Sequence, residues 1–457
     1  MLIIYMKKFG IPACLIALLI ATGCDTIRGR VSILVGDDSL RGYFSVDSDS
    51  VAMYASPEDK RSGKAECRVY EKEYDVFIKL FRILDDSVIR DVYRAKGGEP
   101  FSDEFAAMIR SIPEDRFRYR PGSSRPLAGL RIAVDPGHNA GSMEEAIRES
   151  KYMWIFDHDG RRLKFHESRL NLATALELKE LLEKDGAEVM LTRSANRQVY
   201  PVPFDSWARR DFRRAVLEKQ RHKFITDREA AILLTHANDK RRLKFFNSEY
   251  DMPYRAKLIN AFRPDITVLV HYDAWGCYGG YREKYARVLD ILRKNYGSRG
   301  AMMTDYNEVL KSTAVSDRNF STVFVPGCFL GGELENMESR IEFLRLVISP
   351  DLKDSIRYSA YVMENFSKML DLPPADMPLP GGKKVGFCQK GVYARNFRMT
   401  RLVHGPLCLG EPLQQNNLKE ARDLARISEG KVPGRVRTVA RAYYKAIRTY
   451  AARHIND

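Results

Sequence analysis

LRIAVDPGHNAG, residues 130–141, joins an apolar, β-favouring run to a tight turn and a histidine. The run LRIAV predicts a strand, and Asp-Pro-Gly predicts the turn that ends it. His138 therefore stands just past the end of a buried strand. A single histidine at such a place is most often structural, and it becomes a ligand or a catalyst only when other polar groups join it.

The segments that follow this turn alternate between helical and strand patterns. Apolar residues recur with helical spacing over 171–182, and the runs AEVMLT (187–192) and ITVLV (266–270) favour strands. Pro253 and Pro264 bracket a short helix before the last of these runs. This alternation predicts an α/β fold, with a single mixed, mostly parallel sheet that helices cover on both faces.

Changes in composition divide the chain into two parts. Residues 24–127 contain short alternating apolar runs, such as VSILVG and YDVFIKLFRIL, and no motif that carries chemistry. They predict a small N-terminal module or stalk of unknown fold, and RPGSSRPLAG (120–129) favours a linker. Residues 128–457 form the predicted main domain, with long insertions near 196–251 and 275–385.

The N-terminus has the pattern of an export signal. Lys7 and Lys8 precede the apolar run FGIPACLIALLI (9–20), which is too short to span a bilayer comfortably, and ATGC follows, ending at Cys24. Small residues before such a cysteine resemble a bacterial lipobox. The resemblance implies a lipoprotein signal peptide at 1–23, acylation of Cys24, and a mature protein anchored to a membrane on the periplasmic face of the cell envelope.

The formal net charge of +15 favours polyanionic partners. An exported protein seldom meets nucleic acid, so we expect anionic lipid or carboxylate-rich cell wall as partners, and no nucleic acid. Much of the excess positive charge lies between Asp205 and Lys244. There it fits either a solvated helical face or a dedicated binding patch.

The cysteines do not indicate a metal site. Beyond Cys14 and Cys24 an odd number remains, and none of them has CxxC spacing. They are Cys67, Cys277, Cys328, Cys388 and Cys408. This pattern argues against a zinc–thiolate site and leaves any disulfide pairing unassigned.

Three further residues can act together with His138. His271 follows ITVLV directly, and Glu167 stands at the start of the predicted helix in FHESRLNLA. Two imidazoles and one carboxylate from separate element ends, with a fourth position vacant, are the ligand set of a catalytic zinc. Glu411 ends another apolar run, in HGPLCLGEPLQQNN, and is a candidate general base. These residues predict metal-assisted hydrolysis of an amide.

Several segments resemble the zinc-dependent N-acetylmuramoyl-L-alanine amidases of the bacterial cell wall, the family with a DPGH motif. The resemblance extends over most of the main domain apart from the insertions, and it does not include the N-terminal module. The matching segments are VDPGH (134–138), ESRLNLATALELKELLEKDGAEVMLTR (167–193), RAKLINAFRPDITVLVHYDA (255–274), PLCLGEPLQQNN (406–417) and VARAYYKAIRTY (439–450).

The resemblance implies a function and a set of site residues. It implies hydrolysis of the amide between N-acetylmuramic acid and L-alanine in peptidoglycan, with Zn²⁺ as cofactor and an activator protein, if one exists, unknown. The ligands would be His138, Glu167 and His271, with Glu411 catalytic. Supporting or substrate-binding candidates are Asp135, which could orient His138, Asn171, Arg255 and Asn417. The alternative is a catalytically silent, amidase-like lipoprotein that binds the cell wall.

Other residues compete for the same roles. His236, in THAN, imitates the second-histidine motif but lacks the upstream Arg, Asn and Asp that accompany His271. His166 and Glu167 begin like HExxH, but Leu170 takes the place of the second histidine. The remaining candidates are Glu333 and Glu335 as general base, and His158 and His404 as surface or supporting histidines.

Overall fold

The apolar runs of the sequence pair into a seven-stranded sheet at the centre of the protein. The computed structural model describes residues 26–113, 119, 124–157, 161–222, 224–276, 311–376 and 385–455. Its strands are β1 (Phe44–Val46), β2 (Ser50–Met53), β3 (Cys67–Tyr70), β4 (Arg131–Pro136), β5 (Tyr152–Phe156), β6 (Arg162–His166), β7 (Glu188–Leu191), β8 (Ile266–Val270), β9 (Thr322–Pro326), β10 (Gly386–Gln389), β11 (Val392–Arg395) and β12 (Leu407–Glu411). The central sheet has the order β10-β11-β9-β12-β8-β4-β7, while β1 to β3 form a small sheet and β5 pairs with β6.

Helices alternate with these strands. They are α1 (Ile27–Leu34), α2 (Pro57–Arg61), α3 (Tyr74–Ile83), α4 (Asp86–Lys96), α5 (Asp103–Ser111), α6 (Met143–Glu149), α7 (Glu167–Lys184), α8 (Phe204–Arg210), α9 (Phe212–Arg221), α10 (Asp227–His236), α11 (Asp239–Phe246), α12 (Met252–Phe262), α13 (Met337–Ile348), α14 (Asp351–Leu370), α15 (Arg398–Leu402), α16 (Leu418–Leu424) and α17 (Gly434–His454). Polar side chains begin several of them, as where Ser142 accepts a hydrogen bond from the backbone of Glu145 in α6.

The three neighbouring strands β12, β8 and β4 run parallel to one another, and their carboxyl ends form the carboxyl edge of the central sheet. β8 lies between β4 and β12 and runs parallel to both, with Val268 opposite Val134 on one side and Cys408 on the other. Parallel strands bring their carboxyl ends to the same edge, where α/β proteins place their sites. The residues that follow β4 and β8 therefore meet the last residue of β12 at this edge.

Alternating side chains divide the core between the two faces of the sheet. On one face Val134 and Val268 pack with Tyr443 of α17 and with α7 and α14. On the other face Leu269 packs with Ile259 of α12 and with α15. Both faces are thus covered by helices, and the predicted α/β fold with a mostly parallel sheet is confirmed.

The N-terminal residues fold against the main domain. Nε of Arg30 in α1 donates a hydrogen bond of 2.7 Å to the carbonyl of Val347 in α13. The ring of Phe44 lies 4.9 Å from the ring of Phe343. VSILVG and YDVFIKLFRIL lie mostly in α1 and α3, because their apolar residues also share one helical face, which is buried in the core of the main domain. This region is therefore a packed module rather than a stalk.

The two segments expected as insertions differ from each other. Residues 196–251 form α8 to α11 around an apolar cluster of their own, which includes Trp207 and Phe246. The described part of the second segment, 311–376, instead supplies β9 to the centre of the sheet, and its helix α14 packs on α17 and β12. This part belongs to the sheet itself. The domain boundaries stay predictions.

Some predicted features lie outside the described residues. These are the signal peptide at 1–23, Cys24, His158 and Cys277. Within the part of the chain that the structure describes, none of the helices combines the length and the apolar character needed to cross a membrane.

Candidate metal centre

Three buried or half-buried side chains meet at the carboxyl edge of the sheet. His138 stands two residues past β4, His271 follows β8 directly, and Glu167 is the first residue of α7. Nε2 of His138 and Nδ1 of His271 lie 3.3 and 3.1 Å from Oε1 of Glu167. One ligand atom from each residue lies within 4.8 Å of the other two. The structure thus brings together the three residues predicted as metal ligands.

The atoms of this cluster fit a zinc ion. Imidazole nitrogen and carboxylate oxygen are among the ligands that zinc prefers. Nε2 of His138 is buried and has no hydrogen-bond partner among the described residues. Since buried polar atoms nearly always have a partner, such an atom beside a second imidazole and a carboxylate indicates a place for a cation.

Glu149 holds His138 from the side away from this cluster. Nδ1 of His138 lies 3.1 Å from Oε1 of Glu149, the last residue of α6. A hydrogen bond at Nδ1 fixes the tautomer in which Nε2 can bind a metal. Burial disfavours the charged imidazole, yet the carboxylates of Glu167 and Glu149 raise the pKa of His138. No sequence motif pointed to Glu149.

The prediction that Asp135 orients His138 was wrong. Asp135 still belongs to β4, so its side chain points to the face of the sheet that α12 covers. There its carboxylate accepts a hydrogen bond from Thr192 and lies 3.3 Å from Nε of Arg255. His138 comes only after the turn and points elsewhere, which leaves it within reach of Glu149.

Three side chains hold the turn through its carbonyl groups. Asn171 donates to the carbonyl of Gly137 at 2.9 Å, and Arg255 donates to that of Pro136 at 2.7 Å. Arg193, which the sequence analysis missed, donates to both carbonyls at 3.0 Å. Asn171 and Arg255 therefore support the turn that presents His138 through hydrogen bonds to its carbonyl groups.

Close packing of the two histidines requires glycine at position 137. A Cβ atom there would lie 2.2 Å from Cε1 of His271. The rings of His138 and His271 are 4.9 Å apart and almost perpendicular. His138 has a φ of 56°, a left-handed conformation that costs a non-glycine residue about 1–3 kcal/mol. The surrounding hydrogen bonds maintain this conformation.

Glu411 ends β12 beside His271. The backbone N–H of His271 donates to the carbonyl of Gly410 at 3.1 Å, so Glu411 follows at the same edge. Its side chain is buried, and Oε2 has no hydrogen-bond partner among the described residues. Burial and the charges of Asp273 and Glu167 raise the pKa of Glu411 well above its usual range. A carboxyl group with this property is suited to proton transfer.

Lys151 brings a positive charge to the same edge. Its Nζ lies 3.3 Å from Oε2 of Glu167, and 40% of its side chain is exposed. Burial opposes ionisation of Glu167, but His138 and Lys151 hold its pKa well below the usual range. Glu167 is therefore a carboxylate, the form that binds metal. The sequence analysis did not single out Lys151, which precedes β5 outside the motifs.

Asn417 shapes the loop that follows Glu411. Its Oδ1 accepts a hydrogen bond of 3.2 Å from the backbone of Lys419 and so caps α16. Its Nδ2 donates to the carbonyl of Ser316 at 3.0 Å. Its polar atoms are thus engaged with the backbone.

The competing candidates lie outside the cluster. His236 is exposed on α10, where its Nδ1 contacts Thr235. His166 is buried, with Nδ1 2.8 Å from Oγ of Ser168, and its pKa falls to about 4, mainly through burial. Glu333 pairs with Arg401 at 2.9 Å, away from the metal edge. Glu335 lies in the same short helical turn, and His404 is half-buried before β12, with Nδ1 3.1 Å from the carbonyl oxygen of Phe81.

Two imidazoles, a carboxylate and a fourth, proton-exchanging carboxyl group at one sheet edge are the arrangement of the mononuclear metallohydrolases. The model of the N-acetylmuramoyl-L-alanine amidase family (Amidase_3) matches residues 132–448, and the chain belongs to this family. The match begins in β4 and ends in α17, so it includes all four of these residues.

Individual relatives are more distant. Over 77 residues the chain is 39% identical to a protein of Staphylococcus epidermidis described as a probable cell wall amidase, LytH. This alignment covers 17% of the chain and 22% of the relative, so the chain spans less than a quarter of that relative's length.

Solved amidase structures give low overall similarity. The CwlD amidase of Clostridioides difficile, solved in complex with the GerS lipoprotein, is 15% identical with a TM-score of 0.34, over 70% of this chain and 98% of that one. The amidase Ami1 of Mycobacterium smegmatis is 12% identical with a TM-score of 0.36, over 71% of this chain and 98% of that one.

Proposed function

We propose that this protein is a zinc-dependent amidase that hydrolyses the bond between N-acetylmuramic acid and L-alanine in peptidoglycan. The observation that carries the proposal is the convergence of His138, Glu167 and His271 within 4.8 Å, inside the segment that the family model matches. Family membership supports the choice of bond, and the donor set supports the choice of metal.

His138, Glu167 and His271 would hold the metal. Zinc bound there would acidify a water molecule and polarise the carbonyl of the scissile amide. Glu149 keeps the imidazole of His138 in the tautomer that exposes Nε2, through its contact with Nδ1. Arg193, Arg255 and Asn171 keep the turn rigid, so that His138 does not have to reorganise when it binds.

Glu411 would move the proton. As a carboxylate it accepts a proton from the attacking water, whose oxygen forms a bond to the carbonyl carbon of the amide. It then gives this proton to the nitrogen of the departing L-alanine as the C–N bond breaks. The products are a free carboxyl group on the muramic acid side and a free amino group on the peptide. The raised pKa of Glu411 favours its protonated form, which can donate to the departing amine.

Lys151 would limit the repulsion among the carboxylates at this edge. Its ammonium group contacts Glu167, and the charges of Glu167, Glu411 and Asp273 raise the pKa of Lys151 against the effect of burial. A cation in contact with Glu167 allows this carboxylate to remain ionised near the other carboxyl groups. Because its side chain is partly exposed, it can adjust when substrate enters.

The location of the protein is part of the proposal. The lysines, the apolar run and the ATGC sequence ending at Cys24 support export and lipid anchoring to the cell envelope, where peptidoglycan is found. Mass spectrometry of the N-terminus of the protein from bacterial membranes tests this. A diacylated or triacylated Cys24 supports the anchor, whereas an intact Met1 or an unmodified mature terminus contradicts it.

The activity is tested with the full-length protein, purified in detergent, and purified peptidoglycan. Mass spectrometry should detect released peptides that begin with a free L-alanine amino group, and a zinc chelator should abolish their release. Glu411→Gln should abolish it too, while Glu335→Gln, a matched change away from the edge, should not. Binding to peptidoglycan with no release by the zinc-loaded wild type would favour the silent wall-binding protein.

A further inference from the structure

The helical segment of residues 196–251 carries a groove lined by basic side chains. Helix α9 buries Phe212 and Val216 in the apolar cluster of this segment, so its opposite side is turned to solvent. Four exposed arginines line the groove on that side and form its basic face: Arg210, Arg213, Arg214 and Arg221. The other side chains of the groove include Leu217 and Glu218.

The positive charge of the basic face is only partly compensated. Arg210 and Arg214 share one carboxylate, that of Asp211, at 3.1 and 2.9 Å, and their side chains remain 67% and 77% exposed. Arg213 and Arg221 have no ion-pair partner among the described residues. Ion pairs as exposed as these contribute little. The guanidinium donors of the basic face are therefore available to an external anion.

The segment that carries the basic face is joined to the elements that present His138. Nη1 of Arg148, on α6, lies 3.4 Å from Oδ1 of Asp205, on α8. Nδ2 of Asn139, the residue after His138, donates a hydrogen bond of 3.3 Å to Asp251. Helix α11 also packs on α6. These contacts hold the basic face in a fixed position relative to the metal cluster.

The strand order separates the basic face from the proposed lipid anchor. Helix α1 begins three residues after Cys24 and packs on β10, at one end of the central sheet. Residues 196–251 follow β7, at the other end. Neighbouring strands lie about 4.8 Å apart, so β10 and β7 are roughly 29 Å apart. This separation favours a ligand in the cell wall over the membrane that would hold the anchor.

We infer that the basic face binds peptidoglycan through the carboxylates of its stem peptides, away from the scissile bond. This inference rests on the proposed function and adds to it a docking site for the polymeric substrate. Stem peptides repeat along each glycan strand and carry free carboxylates, so a row of guanidinium groups can bind several of them at once. A soluble muramyl peptide has a single stem and would gain little from the basic face.

The first test measures binding without cleavage. The full-length protein in detergent carries Glu411→Gln, and the probe is purified peptidoglycan freed of attached phosphate polymers, with the bound fraction determined by sedimentation. Adding Arg213→Gln, Arg214→Gln and Arg221→Gln should lower the affinity at least about fivefold, because three exposed charge pairs are lost. Salt should weaken binding through the intact basic face more than binding by this triple variant, since ions screen exposed charges.

Two controls match the loss of charge and the chemistry of the probe. Changing Arg41, Arg61 and Arg94 to Gln removes the same charge from three exposed positions of the N-terminal module, and the affinity should stay within about twofold. Peptidoglycan whose carboxylates have been converted to amides should bind the intact basic face as weakly as the triple variant binds the unmodified polymer.

The second test compares a polymer with a small substrate. With the zinc-loaded protein, the triple variant should raise KM for polymeric peptidoglycan at least about fivefold. Its kcat/KM for a soluble muramyl peptide should stay within about twofold, because the metal cluster and Glu411 are unchanged. Equal losses on both substrates would show a general effect on the fold and would overturn the docking site.

The binding results also separate this inference from the proposed activity. Unchanged binding by the triple variant, or undiminished binding to the amidated polymer, would overturn the inference. It is overturned too if the triple variant loses affinity only for vesicles of equal parts phosphatidylglycerol and phosphatidylcholine, since the basic face is then a membrane site. A protein that binds through the basic face but releases no peptide would contradict the amidase proposal and leave the docking site in place.

Discussion

Two clusters of buried or half-buried histidine and carboxylate side chains lie at opposite ends of the same strands. At the carboxyl ends, His138 and His271 surround Glu167, and Nε2 of His138 has no hydrogen-bond partner among the described residues. At the amino end of β12, His404 lies near Asp351 and Arg345. None of these last three side chains leaves a buried nitrogen or oxygen without a partner in the described structure.

The two clusters differ in whether each of their buried polar atoms has a hydrogen-bond partner among the described residues. At the amino end, Nη1 of Arg345 pairs with Asp351, and Nη2 of Arg345 donates to the carbonyl of Arg401 at 2.7 Å. His404 donates from Nδ1 to the carbonyl of Phe81, which joins the N-terminal module to the sheet. The protein completes this cluster itself. At the carboxyl end Lys151 contacts Glu167, but Nε2 of His138 has no hydrogen-bond partner among the described residues, which fits a place for a ligand beside a second imidazole and a carboxylate.

Removing one histidine from each cluster should separate their roles most strongly. His271→Ala should abolish stoichiometric zinc binding and lower kcat/KM by at least about a thousandfold, because the pKa of water is no longer brought from 15.7 towards 7. His404→Asn should keep zinc and activity within a few-fold. Metal analysis and peptide-release rates check both. Loss of zinc in His404→Asn would contradict the distinction.

Breaking the ion pair of the structural cluster should affect stability instead. Arg345→Met leaves the charge of Asp351 buried without its partner, and the free energy of unfolding should fall by about 3–5 kcal/mol. Urea unfolding measures this, and the folded fraction should still bind zinc. Arg448→Met removes an exposed pair with Asp185 and should cost about 0–1 kcal/mol. Equal costs for the two variants would contradict the account.

Glu149 supports the metal cluster without belonging to it. Glu149→Gln weakens the acceptor at Nδ1 of His138, so zinc affinity should fall by about ten- to a hundredfold. The change keeps the size of the side chain, and the fold should remain. A competition titration with a chelating dye measures the affinity. Glu145→Gln, on the same helix but outside the metal edge, is the control, and an unchanged affinity in Glu149→Gln would remove Glu149 from the site.

The smallest expected effect is the dependence of stability on pH through His404. Burial and the charge of Arg345 lower its pKa to about 3, whereas the unfolded chain has a value near 6.5. Between these values the unfolded state binds the extra proton, so stability falls as pH decreases, by at most about 1.4 kcal/mol per pH unit.

Asparagine at position 404 separates this contribution from other titrating groups. His404→Asn keeps an N–H donor for Phe81 and has no titrating group. Urea unfolding of the metal-free proteins at pH 7, 6 and 5 should therefore show a steeper loss in the wild type than in the variant. Parallel losses would contradict the neutral state of His404.

The sequence predicted the parts of the site that have fixed spacing. Strand β8 matches ITVLV residue for residue, and the turn before His138 follows β4 as expected, since apolar runs and turn residues act locally. The same reasoning missed Glu149 and Lys151. They lie on a helix end and a connecting residue before β5, and only tertiary packing brings them to the cluster.

Two elements of the fold could not be predicted from the sequence pattern, for related reasons. β9 is a five-residue strand after a long polar stretch, and its place between β11 and β12 depends on pairing partners distant in sequence. The run around Tyr74–Ile83 has apolar residues that fit both a strand and a helix, and burial of one helical face decides between them. Local pattern alone does not contain either piece of information.

The most direct test of the central claim is the position of the metal. Crystals of the protein grown with one equivalent of zinc should give a single anomalous peak at the zinc absorption edge, about 2.0–2.2 Å from one atom each of His138, Glu167 and His271. The cluster around His404 should show none. A peak at His404 or His166, or no peak at the carboxyl edge of the sheet, would contradict the account.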